Sequence, residues 1–327
     1  MNQLKYLQNK VYQQLISIPS NTAFYLGNIK LLEKYYLYPR YLQSIQNYQH
    51  RLQPLTLLEG DLVRQLRQRG IAITNLNALN ISNTESFFDS AKTLANELNS
   101  ISKLPQYRDK DTLTADAQQL YLTPDILLWG GSNRLLRIVE NYLELPVAYD
   151  GLSFYYSIAN GKERGPRKWH RDKEDWKMLK LAIYLNPVDI DGGPLECVLP
   201  DVNNQICQFN RDRYIAYRSR NIRKILNTDN EDWYISCVGG TGTAIFIDTA
   251  RYYHRGKPPV KYDRAAIFFS YFSTSPKHPY FCGRSPLSES QLAEISNTWP
   301  ESARNSILWR KNLRGWGRFV PKNSLKV

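Results

Sequence analysis

Leu179, Leu181, Ile183 and Leu185 alternate with Lys180, Ala182 and Tyr184. A two-residue period of this kind predicts a half-buried strand with two distinct faces. Thr243–Ile247 and Ala265–Ser273 are further β runs, and SFYYSI at 153–158 is a short aromatic one. Upstream the period changes. From Glu59, Leu62, Val63 and Leu66 fall on one side, followed by Gly70 and the apolar run Ile71, Ala72, Ile73. That order predicts a helix, a glycine stop and a strand. Helices are also expected over Thr84–Ser102 and Gly131–Leu143, with Pro105, Pro124 and Pro146 as breakers between elements. Nearer the N-terminus, Leu4, Leu7, Val11 and Leu15 roughly follow helical spacing, and the aromatic stretch 35–49 reads as core packing or a contact surface, with core packing favoured. Residues 201–235 interrupt the β series with a polar, Arg-rich insertion, expected to be helical around Arg213–Leu226. Short strands between Gly/Pro turns, preceded by helices, indicate an α+β protein with a sandwich or jelly-roll core.

Composition narrows the class. A chain of 327 residues with 42% hydrophobic and 13% aromatic residues can bury a sizeable core, which excludes a disordered protein. Four cysteines, Cys197, Cys207, Cys237 and Cys282, form no CxxC pair and no zinc spacing. They read as free thiols in a reducing compartment. With neither a signal-peptide core nor an 18-residue apolar run, the chain reads as cytoplasmic, without a transmembrane segment.

Net charge is +13, and its distribution matters more than its sum. Gly161–Lys180 holds eight Lys/Arg against four Asp/Glu, and Asn210–Lys224 six against one. Pro300–Val327 holds seven against one. Such a field favours anionic partners, although a solvated basic face explains any single cluster equally well.

The candidate chemistry lies in two blocks. The first, Trp169–Pro200, opens on His170-x-Asp172 and closes on a Gly-Gly-Pro turn; the second, Thr241–Ser273, carries His254 and Arg264. Two imidazoles and one carboxylate on one face of a metal leave positions open for an oxidisable co-substrate and dioxygen. His170 and Asp172, two apart on an extended segment, project to the same side. His254 follows the strand Thr243–Ile247 and is the best third ligand. Arg264 opens the last strand, where a buried guanidinium needs an anion and its planar fork suits a carboxylate. Taken singly, His170 and Asp172 read equally well as a surface hydrogen-bonded pair, and His254 as a core residue. Their shared order and strand context favour a metal site. His50 and His278 have no such context and read as surface or packing residues. Lys180 and Tyr184 share a strand face and are candidates to line the pocket.

The series His170-x-Asp172, YLNPVDIDGGPLECVLP, GTAIFIDTARYYHRG and Arg264 resembles the iron(II)/2-oxoglutarate dioxygenases, closest to the phytanoyl-CoA dioxygenase-like branch. Tyr184, Leu185, Asp189, Gly193, Pro194 and Leu195 match that branch's strand and turn. After Pro200 the chain departs from it, with Asp201 and Val202 where Gly-Ser-His is usual, and Gly256 stands where a serine often contacts the co-substrate. The resemblance spans about 151–275. It implies a double-stranded β-helix holding Fe(II) through His170, Asp172 and His254, which would be the catalytic residues. 2-Oxoglutarate would chelate the iron and meet Arg264, with Lys180 and Tyr184 as further co-substrate contacts. With O2, its oxidative decarboxylation to succinate and CO2 would drive hydroxylation of a small-molecule or acyl substrate. Related halogenases lack the carboxylate found here at Asp172, so its presence favours hydroxylation. The nucleic-acid demethylase branch usually has a second arginine six places after the first, where this chain has Ser270, so nucleic acid is not the expected partner.

The domain layout expected from this is a helical extension over 1–58, a dioxygenase domain over 59–285 with its insertion at 201–235, and a basic aromatic extension over 286–327 packed on the same domain. Arg164, Arg167, Lys168, Arg171 and Lys173 beside the motif would steer an anionic or phosphate-bearing substrate. The alternative function is a non-catalytic jelly-roll module that grips an anionic ligand or nucleic acid. It would use Arg211, Arg213, Arg218, Arg220, Arg223, Lys224 and the C-terminal WRKNLRGWGR. Oligomeric state is not legible in the sequence.

Overall fold

The structure is a computed structural model, in which residues 17–107, 109–313 and 315–322 are described. The expected helical spacing of Leu4, Leu7, Val11 and Leu15 lies outside them.

Among the described residues, nine strands form two antiparallel sheets. The larger has the order β1 (Ile71–Asn75), β7 (Thr243–Asp248), β4 (Leu179–Tyr184), β9 (Arg264–Ser273), β3 (Val147–Ser157) and β2 (Thr112–Thr114). The smaller has β6 (Tyr234–Cys237), β5 (Leu195–Val198) and β8 (His254–Gly256). From β4 onward the chain alternates between them: β4 in the large sheet, β5 and β6 in the small, β7 in the large, β8 in the small, β9 in the large. This is the jelly-roll, double-stranded β-helix arrangement expected from the sequence.

The period-two pattern of β4 explains the layering. Leu179, Leu181 and Ile183 join Phe246, Ile267, Phe269 and the helices in one core on the outer face. Ala182 and Tyr184 turn inward and pack with Leu195, Cys197 and Cys237 of the small sheet. The helices Leu57–Arg69, Thr84–Ser102 and Asn133–Leu143 cover the outer face. The first has a capping box between Thr56 and Glu59, ends on left-handed Gly70, and leads into β1 as its sequence indicates. Buried Glu59 is paired with Arg134 at 3.0 Å and Arg137 at 2.5 Å, as a charge taken from water must be.

Two expectations change. The stretch 35–49 turns only Leu37, Tyr41, Ile45 and Tyr48 inward; Tyr35, Tyr36 and Tyr38 are exposed. The insertion holds two helices, Pro200–Phe209 and Ser219–Leu226, and not one from Arg213. Arg211 and Asp212 between them have φ of 55° and 58°, a left-handed turn that ends the first helix. Residues 234 and 235 already belong to β6. All four cysteines are free and buried, and among the described residues no helix is long and apolar enough to cross a membrane.

Candidate metal centre and anion site

His170 and His254 lie on adjacent antiparallel segments. Each backbone N–H donates to the other's carbonyl, at 3.0 and 2.9 Å, which fixes the stretch 169–172 alongside β8. Asp172 N donates to Thr249 O at 2.8 Å, just past the end of β7. The turn before β8 is held by Asn203. Its amide donates to Arg251 O at 3.0 Å, and its Oδ1 accepts from Tyr253 N at 2.8 Å. The helix Pro200–Phe209 therefore braces the second histidine.

One ligand atom each from His170, Asp172 and His254 lies within 4.8 Å of the other two. The imidazoles are oriented for a metal. His170 Nδ1 faces Lys168 O at 2.8 Å and His254 Nδ1 faces Tyr252 O at 3.1 Å. A carbonyl can only accept, so both protons sit on Nδ1, and both Nε2 lone pairs are free to ligate. Desolvation lowers the His170 pKa, and desolvation with the neighbouring His170 holds His254 well below the usual histidine range. For Asp172 burial acts to raise the pKa, but Lys180 and Arg284 outweigh it and keep the carboxyl well below its ordinary value. Two neutral imidazoles and an ionised carboxylate are the protonation states a divalent metal requires.

Lys180 Nζ lies 2.5 Å from Asp172 Oδ2, off the direction of a hydrogen bond, so that oxygen is compensated in charge but accepts no bond. Arg284 Nη2 donates to the other oxygen, Oδ1, at 3.2 Å and also pairs with buried Glu174. Neither Arg284 nor Glu174 stands out in the sequence. The first sits in an irregular segment 112 residues from Asp172, and only the fold brings them together.

Arg264 lies across the barrel from β8. It is 4% exposed, its Nη2 reaches Ser157 Oγ at 3.4 Å, and its Nε and Nη1 have no hydrogen-bond partner. Burial lowers its pKa. A Cβ added at Gly256 would stand 2.6 Å from Arg264 Nη2, so the glycine makes room for the guanidinium where the resembling family often has a serine. Gly256 follows His254 by two residues on the same strand face, about 6.6 Å along it.

Tyr184 is committed to the fold. Its hydroxyl donates to Cys237 O and accepts from Leu195 N, both at 2.8 Å, and so joins β4 to the small sheet. Gly193, in the Gly-Gly-Pro turn, has φ 73°, and a Cβ there would meet Lys257 O at 2.4 Å. His278 packs deep in the protein and His50 is on the surface.

Much of the basic cluster beside the motif is used internally. Arg164 pairs with Asp111 at 3.0 Å, and buried Arg167 donates to Asn160 Oδ1 at 2.6 Å and Ile158 O at 2.9 Å. Arg171 lies over the rings of Tyr214 and Tyr253, and Lys173 over Phe24 and Phe281. The insertion's Arg211, Arg213, Arg218, Arg220 and Lys224 are exposed.

No protein-family model and no curated protein matches this sequence. Among solved structures, the chain is similar to EctD from S. alaskensis in its apoform, at 15% identity and a TM-score of 0.46 over 72% of this chain and 86% of that one. It is similar to HygX from Streptomyces hygroscopicus with nickel and 2-oxoglutarate bound, at 11% identity and a TM-score of 0.45 over 71% and 90%. A third is SnoN, described as a non-heme alpha ketoglutarate dependent epimerase from nogalamycin biosynthesis, at 13% identity and a TM-score of 0.41 over 67% and 83%. These likenesses are distant.

Proposed function

We propose that this chain is a non-haem iron(II)- and 2-oxoglutarate-dependent dioxygenase that hydroxylates a small-molecule or acyl substrate, releasing succinate and CO2. Two observations carry the reading: His170, Asp172 and His254 converge on one point, and the buried Arg264, with two unpartnered guanidinium nitrogens, lies against Gly256, two residues past His254 on β8. A cation so placed fits the far carboxylate of a co-substrate whose keto-acid end would reach the metal.

Iron(II), when bound, supplies dioxygen activation at the positions that three protein ligands leave open. The chain's own residues do the rest. His170 and His254 present Nε2, Asp172 presents Oδ2, and Lys180 with Arg284 keeps that carboxylate ionised. Tyr184 forms the wall beside Arg264, and Lys180 adds a cation next to the triad that suits an anionic end of the co-substrate or the substrate. The carboxylate at Asp172 occupies the place that halide would need, which favours hydroxylation. Four free, buried cysteines fit a cytoplasmic protein.

Incubation with Fe(II), 2-oxoglutarate and candidate substrates tests the proposal. A substrate should gain one oxygen with one succinate formed per turnover. Turnover that persists in both His170→Ala and Asp172→Ala would remove the basis of the reading.

A further inference from the structure

Exposed apolar side chains are unevenly distributed over the described residues. Twenty large hydrophobic residues are exposed there, and ten of them fall between Ile18 and Leu42. The helical stretch that begins at Lys30 runs on through Tyr48. It packs Leu37, Tyr41, Ile45 and Tyr48 inward at helical spacing. Leu31, Tyr35, Tyr38 and Leu42 repeat the same spacing about a quarter of a turn round the helix, and all four are exposed, Leu31 at 70% and Tyr35 at 69%. The helix thus has a second apolar face turned to solvent. Nothing in the core calls for it.

Charge within this part of the sequence is almost all of one sign. Residues 1–58 contain six Lys/Arg and a single acidic residue, Glu33. Glu33 is already paired with Lys277 at 3.3 Å. Lys30, Lys34 and Arg40 are exposed beside the apolar stripe, and Arg40 lies over the Tyr36 ring at 4.3 Å. A further exposed aromatic stands on a second segment, which packs against the helix before Lys30. Val320 packs against Ala23, Phe24 and Phe281, and next to it Phe319 is 77% exposed under Arg318.

We propose that this face docks on an anionic lipid surface. Exposed Leu, Ile and Tyr flanked by Lys and Arg, with no unpaired carboxylate, match an interfacial helix: the rings and aliphatic chains enter the headgroup region and the cations pair with lipid phosphates and carboxylates. A protein partner recognised through the same tyrosines would gain nothing from the exclusion of acidic residues. The face lies beside the metal-site loop. Tyr38 and Tyr41 pack on Trp176, at 5.3 and 5.5 Å, and Lys277 lies 4.2 Å over the same ring. Docking would therefore set the motif that begins at His170 close to the lipid surface, whatever reaction the site performs.

Co-sedimentation of the full chain with vesicles tests this. One set is phosphatidylcholine alone and the other phosphatidylcholine with phosphatidylserine in equal amounts. The protein should pellet with the anionic vesicles and not with the neutral ones, and added salt should release it. The double variants Leu31→Glu/Tyr35→Glu and Lys30→Glu/Lys34→Glu should each weaken binding by roughly tenfold or more. Circular dichroism should show the wild-type fold in both. Equal partition of wild type into both supernatants overturns the proposal, as does undiminished binding by either variant. Sedimentation velocity showing a dimer that Leu31→Glu/Tyr35→Glu dissociates would also overturn it, by assigning the face to a second copy.

Discussion

Arg284 donates to Asp172 Oδ1 at 3.2 Å while its other partner, Glu174, is fully buried. The arginine therefore does two things to one metal ligand: it fixes the carboxylate's rotation and holds it ionised. Partners of this kind, outside the ligands themselves, are worth roughly 10–100-fold in metal affinity. Arg284→Met should lower Co(II) or Fe(II) affinity by that order in an anaerobic titration. An unchanged affinity would show that the contact serves only packing.

Arg264 makes the opposite division. It touches no metal ligand, so Arg264→Lys should leave metal affinity within error. The same variant should weaken 2-oxoglutarate binding, since an ammonium offers no planar fork and does not fill the guanidinium's place. Loss of a buried charge contact costs about 2–5 kcal/mol, which is roughly 30-fold to several thousand-fold in Kd. Isothermal titration of 2-oxoglutarate onto the metal-loaded variant measures it.

Gly256→Ser is a finer probe of the same contact. The new Cβ would stand 2.6 Å from Arg264 Nη2, so the guanidinium must move. Metal binding should persist and 2-oxoglutarate affinity should fall. If the serine instead strengthens binding, the place of Gly256 is an ordinary variation on the resembling family and not an accommodation of Arg264.

The jelly-roll strands were legible because burial on two different faces leaves a two-residue signature, seen most plainly at Leu179–Tyr184. The helix Thr84–Ser102 was equally legible, with Phe87, Ala91, Leu94 and Leu98 at helical spacing on its buried side. The helix Pro200–Phe209 was not. Its sequence is polar, it buries only Asn203, Ile206 and Cys207, and its purpose depends on a turn about 50 residues away. The site divided in the same way. His170, Asp172, His254 and Arg264 announce themselves by residue type, order and strand context. Arg284, Glu174 and Ser157 act through pairings that no local pattern records. The hydroxyl of Tyr184 joins the two sheets, a use that its place on the strand face does not disclose.

His278 gives a pH prediction. Burial holds its pKa at about 3, against an ordinary value of 6.5. A depressed histidine leaves the folded state unprotonated while the unfolded chain takes up a proton. Its contribution is therefore complete above pH 6.5 and is lost progressively as pH falls toward 3. At pH 5 the loss is on the order of 2 kcal/mol. Chemical denaturation at pH 7.5 and pH 5 should show it, and His278→Asn should reduce the difference by about that amount, leaving the part that His170 and His254 contribute. Equal flattening by a surface His50→Asn would contradict the assignment.

The most direct test is an anaerobic titration of 2-oxoglutarate into the wild-type chain, with and without Fe(II), repeated in Asp172→Ala and Arg264→Met. Iron should bind one per chain in wild type and in Arg264→Met. Co-substrate should bind tightly only to iron-loaded wild type, and Asp172→Ala should lose both. Tight 2-oxoglutarate binding that needs neither iron nor Arg264 would contradict a single site built from the triad and the buried arginine.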